Sequence, residues 1–70
     1  MPYKLTPIGR SMATKTLKID DPESAIIVYL YEHPNESVEA DELVGELNTS
    51  ERVVLSTLNR LINKEYVKEL

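Results

Sequence analysis

Four polar side chains near the end of this chain have the chemistry of a base-reading surface. Arg52, Ser56, Asn59 and Arg60 follow one another at spacings that set them on one face of a helix. Arginine grips guanine through two hydrogen bonds, asparagine does the same for adenine, and serine contacts bases or phosphates. Val53, next to Arg52, would meet a thymine methyl, and Asn63 and Lys64 would continue the polar face toward phosphates. That outer face carries no carboxylate. Most amphipathic helices carry a polar face only to meet water, so the spacing alone does not separate a reader from a solvated helix.

Catalytic chemistry finds less support. The chain has no cysteine, which removes disulfides, thiolate metal sites and a thiol nucleophile. Its only histidine, His33, stands at a helix end before Pro34, where an imidazolium favours the negative end of the dipole. Two glycines leave no phosphate-cradling loop, and Ser37, Ser50 and Ser56 lack a fitting His and acid. The expectation is a non-enzyme with no metal and no cofactor.

The base-reading candidates need a helix to hold them. Across Thr49–Leu70, Val54, Leu58, Leu61 and Ile62 form one apolar stripe with Leu55 at its edge, and Leu58 is expected at the centre of the core. Thr49 or Ser50 caps this helix, which stops near Lys64; Tyr66–Leu70 then reads as a strand. Upstream, Asp20-Asp21-Pro22-Glu23 is a helix start, with a carboxylate cap and Pro in the first turn. That helix runs to about His33, with Ala25, Ile26, Ile27, Leu30 and Tyr31 facing inward and Val28 and Tyr29 at the flanks. Pro34 ends it. A second helix, about Ala40–Leu47, repeats Ala40, Leu43, Val44 and Leu47 at helical spacing and turns Glu39, Asp41, Glu42 and Glu46 outward. Gly45 within it would let a neighbouring helix approach closely. Near the start, Tyr3–Thr6 reads as a short strand, and Thr6-Pro7 opens a weak helix with Ile8, Met12 and Leu17 as its stripe.

Seventy residues make one small domain, and the net charge of −4 is unevenly spread. Residues 1–18 form a basic arm with Lys4, Arg10, Lys15 and Lys18 and no acid; residues 19–70 hold four basic and twelve acidic side chains. The arm is either solvated or a phosphate-binding segment. No apolar run approaches the length of a membrane span and no signal pattern opens the chain, so a cytoplasmic location is expected.

Two helices joined by a three- or four-residue turn, the second exposing a polar face, make a helix-turn-helix. Here the chain resembles winged helix-turn-helix regulators of the MarR and ArsR type over about Asp21–Leu70. The resemblance rests on Leu43, Leu47, Val54, Leu58, Leu61 and Val67 in register, on Ser50–Val54 as the start of the recognition helix, and on Asn59–Val67 as its end and the entry to the wing. Glu65 stands where that family usually has glycine, which predicts a different turn there. Tyr3–Arg10 looks like the family's returning wing strand displaced to the front of the domain, so Tyr3–Thr6 is expected to pair with Tyr66–Leu70.

The resulting expectation is a mainly α (α+β) fold, a three-helix winged helix-turn-helix core over residues 19–70 with a small β element from the chain ends. Its function would be sequence-specific binding of double-stranded DNA as a transcriptional regulator, with a homodimer the form suited to two-fold sites. Arg52, Val53, Ser56, Asn59 and Arg60 would read bases; Lys4, Arg10, Lys15, Lys18, Asn63, Lys64 and Lys68 would hold phosphates. The alternative is an adaptor module whose acidic second helix meets a basic protein partner.

Overall fold

The computed structural model describes residues 2–15 and 21–70, so Leu17, Lys18 and Asp20 lie outside the described residues. In chain order the elements are strand β1 (Tyr3–Leu5), helix α1 (Pro7–Ala13), helix α2 (Pro22–Glu32), helix α3 (Ala40–Leu47), helix α4 (Glu51–Asn63) and strand β2 (Val67–Glu69). The fold is mostly helical with a two-stranded antiparallel sheet made from the two chain ends.

Local chemistry sets the helix starts. Asp21 accepts the Glu23 amide at 2.9 Å ahead of Pro22, the Thr6 hydroxyl accepts the Gly9 amide at 3.0 Å ahead of Pro7, and the Ser50 hydroxyl accepts the Val53 amide at 3.3 Å. Each cap satisfies a first-turn amide that has no carbonyl partner within its helix. Helix α3 ends on Asn48 in the left-handed region (φ 53°), a conformation its short polar side chain tolerates.

β1 pairs with β2 in the register Tyr3↔Glu69, Lys4↔Lys68, Leu5↔Val67. On its other side Tyr3 forms a bridge with Val38, donating its amide to the Val38 carbonyl at 2.8 Å. Tyr3, Leu5 and Val67 therefore join Ile26, Leu30, Leu43, Val54, Leu58 and Leu61 in one core. Leu58 is 1% exposed, at the heart of that core as its helical phase requires.

Three expectations about individual residues change. Tyr31 is 42% exposed, and Tyr29 packs against the core instead, because α2 presents Ile26, Ile27 and Leu30 inward and Tyr29 lies beside them. Nothing lies within 4 Å of a side chain placed at Gly45; the close approach belongs to Gly9, where an added Cβ would sit 2.0 Å from the Tyr66 carbonyl oxygen. Helix α1 buries Gly9 and Ala13, while Ile8 is turned outward.

Candidate nucleic-acid interface

Helix α4 holds the predicted base-reading residues. Its inner stripe is Val54, Thr57, Leu58 and Leu61, and it packs against α2, α3 and β2. Thr57 was not legible as an inner residue from hydropathy. Its hydroxyl donates to the Val53 carbonyl at 2.7 Å, so the buried oxygen is satisfied within the helix. Arg52, Val53, Ser56, Asn59, Arg60 and Asn63 are all exposed. No hydrogen bond or ion pair ties the side chains of Arg52, Ser56, Asn59 or Asn63 to any described residue.

The C-terminal half of that face is electrostatically engaged. Glu23, in the first turn of α2, lies 3.4 Å from the Arg60 Nε and 2.9 Å from the Lys64 Nζ. Arg60 also reaches the Thr57 hydroxyl at 3.5 Å. The Glu23 hydrogen bond and charge hold the Lys64 ammonium above its usual range. α4 thus presents two zones. Arg52, Ser56 and Asn59 point to solvent with unspent hydrogen-bonding capacity, whereas Arg60 and Lys64 are drawn toward a carboxylate on α2.

The sheet adds a second cationic feature. Lys4 and Lys68 face each other directly across the strand pair, both exposed. Like charges opposite one another disfavour pairing, so the strands are held by their other bonds. Among these, the Leu70 amide donates to the Pro2 carbonyl at 2.9 Å and the Thr6 amide to the Tyr66 carbonyl at 3.0 Å. Arg10 and Lys15 are exposed on and after α1. Lys18 falls outside the described residues.

The turn from α4 into β2 sets where that sheet sits. The Tyr66 amide donates to the Leu61 carbonyl and the Glu65 amide to the Ile62 carbonyl, both at 2.9 Å, with Glu65 at φ 64°. This is the Schellman end that glycine ordinarily provides, formed here by glutamate. Thr6 fastens the junction from the other chain end, its hydroxyl donating to the Glu65 carbonyl at 2.5 Å.

The acidic side chains of α3 are not all equivalent. Glu39, Asp41 and Glu46 are exposed, but Glu42 accepts a hydrogen bond from the Tyr29 hydroxyl, which pushes the phenol up to about 12. The Tyr29 ring stacks on His33 with centroids 4.1 Å apart. His33 caps α2, its Nδ1 donating to the Tyr29 carbonyl at 2.8 Å, and that bond raises the imidazole above its ordinary value. Among the described residues no group of three His, Cys, Asp or Glu side chains could hold a metal ion, and no helix is long and apolar enough to cross a membrane.

Compared with protein-family models, with curated proteins and with solved structures, the chain finds no match.

Proposed function

We propose that this chain is a DNA-binding module of the winged helix-turn-helix kind, acting as a transcriptional regulator, with α4 as the helix that enters the major groove. The reading is supported above all by the N-terminal two thirds of α4, where Arg52, Ser56 and Asn59 stand exposed and unengaged on a helix anchored by Val54, Leu58 and Leu61. α3 precedes it across the turn at residues 48–50, the helix-turn-helix order in which the second helix reads bases. Lys4 and Lys68 on the chain-end sheet then occupy the role of a wing and meet phosphates. In this scheme the returning wing strand comes from the front of the chain.

The test is binding to mixed duplex DNA at several salt concentrations. Log K is expected to fall by about 0.9 per log unit of salt for each phosphate contact. Asn59→Ala should relax sequence preference, with a loss of roughly 1–3 kcal/mol at one base position. Lys68→Ala should weaken binding to all sequences alike and lower the salt slope by about one. Absence of binding at low salt would remove DNA as the ligand. A protein partner would then become the leading reading, favoured by the exposed acids Asp41 and Glu46 on α3.

A further inference from the structure

A second surface lies away from α4. Between α2 and the end of α3 an open groove of about 530 Å³ is lined by Pro22, Ala25 and Val28 from one helix and Leu47 from the other. Three carboxylates, Asp21, Glu32 and Glu46, line the same groove, and among the described residues no basic one does. Asp21 is occupied as the α2 cap, but neither Glu32 nor Glu46 is hydrogen-bonded or ion-paired to a described residue. The groove is also preformed. Tyr29 forms part of its lining and is held at both ends, its hydroxyl bonded to Glu42 and its ring stacked on His33. The turn on the opposite side is fixed by Asn48 in the left-handed region.

An apolar cleft with two carboxylates that form no ion pair with a described residue selects its occupant by charge. Nucleic acid is repelled, since its phosphates would meet Glu32 and Glu46. The apolar groups of β1 are consumed in the chain's own core, so a second copy cannot offer that strand. We propose that this groove docks a short cationic, apolar segment of a protein partner. One or two aliphatic side chains enter between Ala25, Val28 and Leu47, while flanking lysines or arginines meet Glu32 and Glu46. This surface shares no residue with α4, so the inference holds whether or not α4 reads DNA.

The test uses the full chain, isotope-labelled for amide NMR, and three synthetic nonapeptides: two leucines flanked by lysines, the same with glycine for leucine, and the same with glutamate for lysine. The lysine–leucine peptide is expected to shift the amides of Ala25, Val28 and Leu47 saturably, and the other two are not. Glu32→Lys with Glu46→Lys should weaken that peptide about tenfold and let the glutamate–leucine peptide bind in its place. Both positions are exposed, and an unchanged amide spectrum elsewhere establishes that the double variant is folded. Equal shifts with the glycine peptide would reduce the groove to a bare acidic patch and overturn the proposal. Shifts confined to other surfaces, or self-association abolished by the double variant, would overturn it as well, the latter in favour of a second copy.

Discussion

At the scale of single residues, the junction where α1 meets the turn after α4 carries opposite predictions at two positions. Gly9→Ala drives a methyl group into the Tyr66 backbone carbonyl, which no side-chain rotation can relieve, so stability should fall by at least about 1–3 kcal/mol in urea denaturation. Glu65→Gly removes a left-handed glutamate from a position that glycine fills without strain, and should raise stability by roughly 1 kcal/mol. His33 supplies a pH dependence. Its bond to the Tyr29 carbonyl, aided by the charges of Glu36, Glu42 and Glu32 and opposed by partial desolvation, lifts the folded imidazole above 6.5. A raised value means the charged form is favoured by folding. The stabilisation is then complete below the unfolded value and is lost as the pH rises through the folded one. The protein should therefore exceed His33→Gln in thermal midpoint at about pH 6 and lose that margin by about pH 8. Caps such as Asp21, Thr6 and Ser50 were legible in the sequence because each acts within three residues of itself. Gly9 was not, since the carbonyl that demands it stands on Tyr66 at the far end of the chain.

At the scale of elements, Glu23 determines how much of α4 is available. Its carboxylate on α2 competes with any phosphate for Arg60 and Lys64. Glu23→Gln should release both cations, so duplex DNA should bind about three- to tenfold tighter, with a steeper salt dependence. If α4 has no role at DNA, the same variant will change neither affinity nor slope. The helical stripes placed α3 and α4 well, because each has one apolar face and one polar face. Helix α2 was less legible at Tyr29 and Tyr31. It is apolar nearly all round, and a tyrosine suits either the core margin or solvent, so only packing against α3 decides which ring turns inward. Thr57 escaped for a related reason: its methyl suits the core, but its hydroxyl hides the fact until the bond to Val53 is seen.

At the scale of the whole molecule, α4 is about 20 Å long in a body of 26 × 26 × 22 Å, and α2, α3 and β2 all pack against it. The chain-end sheet closes one side of that body, and Tyr3, Leu5 and Val67 carry core rather than decoration. Removing residues 1–5 should abolish the cooperative unfolding transition as a whole, rather than leave a stable three-helix remainder, which calorimetry would show. The pairing of the ends was legible as a possibility from alternation in Tyr3–Thr6 and Tyr66–Leu70, but the Val38 bridge on the outer side of Tyr3 was not, for a single residue carries no period. The register has a mechanical corollary. Tyr3 lies opposite Glu69, so the polypeptide enters and leaves the domain side by side. Tension applied across those two points would load the strand pair one bond at a time, as a zipper is opened, and not all at once in shear.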